Sequence, residues 1–486
     1  MIPATDVMAR LDRFGLLAGS VPVLEIGIAG IADDSRQIRA GDLYCAIPGY
    51  TEDGHRFLPD AAAAGAVAAL VEVPRAEVEL PQIRVTNARR AAAVAAQVVF
   101  GDPSRDLRLV GVTGTNGKTT TVQVARHILS RKYRTGSVGT LGVIDPSDER
   151  EPTGLTTPGP VEFARRLAEL KQRGAEVVVA EVSSHALTQY RVSGAAFDAG
   201  VFTNLSRDHL DYHSDLEEYR DMKLRLAEHV SAEGVLVVNA DEPAWSALSG
   251  ESRLIRYGLN QEADYSAGEI QLGLMGSRWT LAGPEGSARV RLPMLGEFNL
   301  MNALAAAATA GALGFSVKEL ADALASAPPI PGRVEVLAEE PLVLRDYAHT
   351  PDALRRVLAA VRPLVAGRLI TVFGCGGDRD PGKRPLMGRA AAECADYLII
   401  TSDNPRGEPP EAIIAQIIEG VGKTPFEKIS DRRAAIGRAL TIAKPKDLIV
   451  LAGKGNETYQ VVGDERRPFD EALIVAEILA EGRGTA

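Results

Sequence analysis

The chain has 486 residues, which at about 150 residues per domain gives room for roughly three domains. Hydrophobic residues make up 45% and charged residues 24%, the balance of an ordinary globular protein. The formal net charge of −10 argues against a nucleic-acid-coating surface, while a local basic pocket for a small anion stays open.

Cys45, Cys375 and Cys394 are scattered and form no CxxC pair, so neither a disulfide framework nor a zinc site is expected, and a reducing compartment fits. No run of about 18 apolar residues appears, so no membrane span is expected. The N-terminus carries Asp6 and Asp12 and lacks the apolar core of a signal peptide. The cytoplasm is the default expectation.

In chain order, residues 1–100 mix short strands with Ala-rich stretches. "DAAAAGAVAALVEV" and "RRAAAVAAQVVF" are the clearest helices there. "GDPSRD" at 101–106 is a turn-rich break. "LRLVGV" then predicts a strand, a glycine-rich loop follows, and "KTTTVQVARHILSRK" predicts a helix. "AEVVVAEV", "FDAGVFTNL" and "EGVLVVNA" predict further strands with helices between them, the alternation of a parallel, doubly wound sheet. From Tyr265 to Leu295 the runs shorten toward an antiparallel extension, and Asn299 to Leu313 predicts a helix. "APPIPGRVEV" is a second break. Beyond it "GRLITVFG", "YLIITS" and "DLIVLAG" repeat the strand–loop–helix alternation. The expected architecture is α/β in three domains. A smaller mixed N-terminal domain spans 1–100, a central parallel-sheet P-loop ATPase domain spans 101–331, and a Rossmann-like C-terminal domain spans 332–486. The breaks at 101–106 and 327–332 would let the third domain close onto the nucleotide.

"VGVTGTNGKTT" carries the strongest chemical signal. A strand, a glycine loop and a helix N-terminus present backbone N–H groups and a helix dipole to phosphates. Lys118 would reach the terminal phosphates and Thr119 would offer a hydroxyl to Mg²⁺. The common spacing would place glycine at 112, where this chain has Val112; its glycines fall at 111, 114 and 117. Glu181 ends an apolar strand, where open α/β sheets bind ligands and a carboxylate can hold Mg²⁺ opposite phosphates. The stretch around His209 and His213, with Asp208, Asp211 and Asp215, reads by spacing either as a metal cluster or as a polar loop entering a helix. Around Thr401, "TSDNPRGEPP" places an acid and an arginine three residues apart on a turn after a buried strand. Two arginines near such a turn suit a carboxylate, and acids suit an ammonium.

The loop GTNGKTT at 114–120 resembles that of the Mur ligases and the related folylpolyglutamate synthetases. "SSHAL", "NLSRDHLDYH", "GEFNLMN", "PGRVE", "DYAHTP" and "DNPR" follow in the order of the Mur ligase family across nearly the whole chain. "DSR", "GDLYCAIPG" and "DGHRF" resemble the N-terminal domain of its tripeptide-forming members, a domain that folylpolyglutamate synthetases lack.

The resemblance implies ATP as co-substrate, held by Gly114, Thr115, Asn116, Gly117, Lys118, Thr119, Thr120, Asn302, Arg333 and Asp346. It implies Mg²⁺ on Thr119, Glu181, His209 and Lys223, with Lys223 carbamylated to N6-carboxylysine. A lysine of depressed pKa can react with CO₂ in this way. Lys118, Glu181, His209 and Lys223 would carry the catalysis. UDP-MurNAc-L-Ala-D-Glu would meet Ser35, Arg36, Tyr50, Thr51, Glu52, Thr156, Thr157, Ser183, Gln189 and Arg191. meso-Diaminopimelate would meet Arg379, Asp403, Asn404, Pro405, Arg406, Gly453 and Glu457, because lysine lacks the carboxylate that Arg406 would read. The expected reaction is an ATP-dependent amide ligation through an acyl phosphate by a monomer. A lysine-adding ligase, a folate-type ligase and a non-catalytic nucleotide-binding scaffold are the rivals.

Overall fold

The computed structural model describes residues 1–19, 24–49, 52–209, 212–248 and 252–483. Three sheets carry the described residues' main cores. The first is a parallel sheet of Gly30–Ala32, Asp42–Cys45, Ala68–Val71 and Gln82–Arg84. The expected helix "DAAAAGAVAALVEV" divides here. Leu58–Ala63 is helical, but Ala68–Val71 is a fully buried strand between two partners. Alanine's helix preference is weak enough for sheet pairing on both sides to override it. Ala88–Val99 is helical as expected, capped by the Asn87 side chain, which accepts from Arg90 N at 2.8 Å. "GDPSRD" contains one short helix, Pro103–Asp106, after Asp102 in a left-handed conformation. Asp102 is fixed by a paired contact from Arg10, two N–O distances of 2.8 Å.

The second sheet has eleven strands among the described residues. Its parallel centre runs Thr135–Gly139, Val177–Glu181, Arg108–Thr113, Phe197–Phe202, Val230–Asn239 and Arg253–Gly258. Near-continuous apolar runs make these strands, because helices cover both faces. The register pairs Glu181 with Val112, so the acid at one strand's end lies beside the start of the glycine loop at the other's. The extension after Tyr265 is antiparallel as expected, but its strands are long: Tyr265–Gly273, Gly276–Gly283 and Gly286–Leu292. The following helix starts at Glu297, not Asn299. Asn299 lies within it, its amide donating back to Leu295 O at 2.9 Å.

The third sheet orders Glu335–Glu339, Leu342–Asp346, Leu448–Ala452, Leu369–Phe373, Tyr397–Ile400 and Phe426–Lys428, parallel except at its first pair. Parallel registers Asp346–Ala452 and Phe373–Ile400 send the loops starting at 347, 374, 401 and 453 off one edge. Arg432 braces this edge from inside the core. It is 1% exposed, bonds Glu471 at 2.8 Å, and donates to Ser402 O and Ala452 O. Among the described residues no helix is long and apolar enough to cross a membrane.

Arg432→Met leaves Glu471 as a buried charge without its partner, an expected cost of about 3–5 kcal/mol in urea denaturation. The double variant Arg432→Met/Glu471→Leu should recover most of it; a single variant as stable as the parent contradicts this account of the core.

Candidate active site

The strand Arg108–Thr113 delivers the glycine loop to the N-terminus of the helix Lys118–Leu129. Gly117 has φ +84, and a Cβ there would meet Asn302 Oδ1 at 2.1 Å, so only glycine lets the loop lie this close to Asn302. A cleft of about 910 Å³ opens between the second and third sheets. Residues 115–120, Asn302, Arg333 and Asp346 all line it, together with Glu181, His209, Thr156 and Ser183.

The expected phosphate contacts need one correction. Thr115 N donates to Asn204 O at 2.8 Å and Asn116 N to Asn204 Oδ1 at 3.0 Å. Those two amides hold the loop's shape. The donors left facing phosphate are those of the helix's first turn, residues 117–120, where the helix dipole adds to them. Lys118 Nζ folds back onto Gly114 O and Thr115 O, each at 2.8 Å. Burial lowers its pKa, opposed by Glu181 and Asp208.

Thr119 is the joint of the site. Its hydroxyl donates to Glu181 Oε2 at 3.1 Å and accepts from Arg333 Nη2 at 3.1 Å. Glu181 is buried and also accepts from Thr140 N at 2.8 Å. Arg333 comes from beyond the second break and lies over the Tyr347 ring at 4.5 Å. A second contact crosses the same boundary, Asn116 Nδ2 to Asp352 at 3.2 Å. Asp346 is turned inward: one oxygen accepts from Val334 N and the other from Ala348 N, both at 2.8 Å. It holds Val334 in the left-handed region, φ 46, a conformation unfavourable for a β-branched residue. Its observed work is to aim Arg333. Burial raises its pKa, opposed by Arg333.

Among the described residues no group of three His, Cys, Asp or Glu is placed to hold a metal. Thr119 and Glu181 are in contact and offer hard oxygen donors on the cleft wall, a fit for Mg²⁺. Lys223 is 1% exposed, donates to Gly114 O at 2.9 Å and lies over Tyr219. Burial, then Lys118, drives its pKa well below the ordinary lysine value. His209, φ 54, packs edge-on to His185 with ring centroids 4.7 Å apart. Burial pushes its pKa to about 4, against Asp208, which leaves the ring neutral with a free electron pair to offer.

The expected nucleotide-sugar residues split into two groups. Thr157 donates to Glu181 O at 2.8 Å and accepts from Ser183 N at 3.1 Å, and Thr156 Oγ1 lies 3.3 Å from Thr140 Oγ1. Arg191 donates to Thr157 O and to Gln189 Oε1. Five side chains thus form one network beside Glu181. On the N-terminal domain, Ser35 opens a short turn in which Asp34 grips Arg36, and Glu52 is exposed. A side chain at Gly159 would meet Asp33 at 3.9 Å, so this turn borders the network. Tyr50 and Thr51, like Asp211 of the polar stretch, lie outside the described residues.

The third-sheet edge brings the expected amine-site residues together, with one change of role. Asn404 accepts from Lys454 Nζ at 3.1 Å and Val461 N at 2.9 Å, and donates to Glu457 at 2.9 Å, so it braces the loops. Arg406, φ 52, is held by Val461 O through its own N–H and donates Nη1 to Gly377 O at 2.8 Å. Arg379 is exposed and Asp403 is buried against Gly453. Asn204, Thr140, Tyr347 and Lys454 are functional neighbours that the sequence reading missed. Asn204 opens the NLSRDHLDYH stretch, Tyr347 stands in DYAHTP, and Lys454 is flanked by glycines, while nothing in the sequence marks Thr140.

Three sequence profiles of one family match consecutive stretches: Mur ligase family, catalytic domain, at 27–105; Mur ligase middle domain at 112–310; and Mur ligase, glutamate ligase domain, at 332–455. The UDP-N-acetylmuramoyl-L-alanyl-D-glutamate--2,6-diaminopimelate ligase of Gloeobacter violaceus is 43% identical over 490 residues, covering 99% of this chain and 99% of its own. The ligase of the same name from Geobacillus kaustophilus is 40% identical over 488 residues, covering 98% and 99%. A solved structure of a UDP-N-acetylmuramoyl-L-alanyl-D-glutamate--2,6-diaminopimelate ligase aligns with a TM-score of 0.67 at 34% identity, covering 94% of this chain and 95% of that one.

Gly117→Ala should weaken ATP binding by at least about tenfold, about 1.4 kcal/mol, in calorimetric titration. Unchanged affinity would contradict the close approach of Asn302 to the loop.

Proposed function

The chain belongs to the Mur ligase family, and on that premise we propose that it joins meso-diaminopimelate to the D-glutamate carboxylate of UDP-MurNAc-L-Ala-D-Glu, at the expense of ATP, during cytoplasmic assembly of the peptidoglycan precursor. The observation that carries the choice of amine is the placement of Arg406 and Asp403 on the sheet edge that also carries Glu457. A guanidinium can take a carboxylate in two-point contact, and the distal end of diaminopimelate has one where lysine has none.

The chemistry runs in two steps. A carboxylate oxygen of the substrate attacks the γ-phosphorus of ATP, ADP leaves, and an acyl phosphate forms. The substrate's neutral amine then attacks the acyl carbon, phosphate leaves with the C–O bonding pair, and the amine proton is released. The amides of 117–120, Lys118 and Arg333 offset charge on the transferring phosphoryl oxygens. The Thr157–Ser183–Gln189–Arg191 network beside Glu181 is suited to hold the acceptor carboxylate near the phosphate end of the cleft. Thr119 and Glu181 would hold Mg²⁺, which neutralises phosphate charge. Lys223, kept toward its neutral amine by burial, is suited to combine with CO₂ and become an anionic ligand beside His209.

Amine-dependent ADP release should favour diaminopimelate over lysine. Arg406→Ala should raise the diaminopimelate KM by about 10–100-fold, about 1.4–2.7 kcal/mol, and leave lysine turnover nearly unmoved; equal losses for both amines would sink the assignment. Gentle intact mass analysis should find a CO₂ adduct that Lys223→Met abolishes, and absence of the adduct in fully active protein removes the carbamate.

A further inference from the structure

Lys454 has no part in the function just proposed, yet it is a fully buried cation at the third-sheet edge. It follows the strand Leu448–Ala452 between Gly453, φ +112, and Gly455, φ +53. A Cβ on the first would meet Asp403 Oδ2 at 2.6 Å and on the second Tyr347 Cβ at 2.6 Å. The two glycines fold the chain so that the lysine between them points inward, and its side chain is 0% exposed. Its ammonium bonds Glu457 Oε2 at 3.1 Å and Asn404 Oδ1 at 3.1 Å, while Asn404 Nδ2 bonds the same Glu457 oxygen at 2.9 Å. One oxygen of Glu457 is therefore claimed twice from inside the protein.

We infer that Lys454 is a positioning and specificity-determining residue: by bonding Glu457 from inside the protein it withholds that carboxylate's charge from the ligand, so that the amine site selects a zwitterionic head group over a plain ammonium. The loops and helix start at this edge carry Asp378, Asp380, Asp403, Glu408 and Glu457 against Arg379, Lys383, Arg384, Arg406 and Lys454, with Arg384 paired to Glu408. Arg406 and Arg379 both flank Gly376. With Glu457 held by Lys454, Arg406 remains to meet a ligand carboxylate and Asp403 its ammonium. A head group with both carboxylate and ammonium is satisfied there. A lone ammonium gives Arg406 no carboxylate and gains nothing from Glu457.

The inference rests on the proposed diaminopimelate activity, and the experiment separates the two. kcat and KM are measured for diaminopimelate and for lysine with wild type, Lys454→Met, Lys454→Gln and Lys454→Arg. Wild type should prefer diaminopimelate. Lys454→Met frees the Glu457 charge and should lower the diaminopimelate-to-lysine ratio of kcat/KM by about tenfold or more, with lysine KM falling. Lys454→Arg, which keeps the charge beside Glu457, should keep the wild-type ratio. Lys454→Gln keeps a donor to Glu457 without the charge and serves as the test if Lys454→Met does not fold; an unchanged ratio in it overturns the inference. Equal slowing of both amines by Lys454→Met reduces Lys454 to a structural brace and also overturns it. A wild type without preference for diaminopimelate overturns the proposed activity and takes this inference with it.

Discussion

One hydroxyl ties the catalytic arrangement together. Thr119 stands on the first turn of the phosphate-loop helix, donates to the strand-end carboxylate of Glu181 and accepts from Arg333 of the C-terminal domain. Everything upstream places Glu181 and Arg333 each about 3 Å from the Thr119 hydroxyl. The Glu181–Val112 register puts acid beside loop, Asn204 holds the loop's shape, and Asp346 pins Val334 so that Arg333 points across the domain boundary. A nucleotide in the cleft would enter a site whose Lys118 and Arg333 already bond carbonyl and hydroxyl oxygens of the protein, so binding exchanges internal partners for phosphate oxygens.

The two halves of the reaction fall on two sheets. The proposed function assigns phosphoryl transfer to the carboxyl ends of the central strands, where Lys118 and Arg333 line one cleft. It assigns amine recognition to the carboxyl edge of the C-terminal sheet, where loops from three neighbouring strands meet. Arg432 supports the second site from within, joining the ends of two of those strands to the last helix through Glu471. Tyr347 connects the halves, with its ring under Arg333 and its Cβ against Gly455.

Much of this was legible in the chain, and the limits have physical causes. The strand–glycine–helix unit at 108–129 was readable because hydrophobic run, turn chemistry and helix start agree locally. Ala68–Val71 was not, since alanines become a strand only when neighbouring strands flank them. The phosphate loop's glycines announced themselves, but the role of Asn204, 88 residues from Asn116, exists only in three dimensions. Asp346 and Asn404 were singled out as ligand contacts; the structure gives both internal hydrogen bonds that position their neighbours. The inward placement of Lys454 depends on the two glycines beside it and on Asn404, 50 residues away, contacts that exist only in three dimensions.

The central claim is that this chain activates a carboxylate by phosphorylation before an amine displaces the phosphate. Its most direct test uses UDP-MurNAc-L-Ala-D-Glu labelled with ¹⁸O in the D-glutamate side-chain carboxylate, incubated with ATP, Mg²⁺ and meso-diaminopimelate, followed by mass analysis of the released phosphate. One labelled oxygen carried into each phosphate is the expected result. Phosphate free of label, released alongside tripeptide product, would contradict the account.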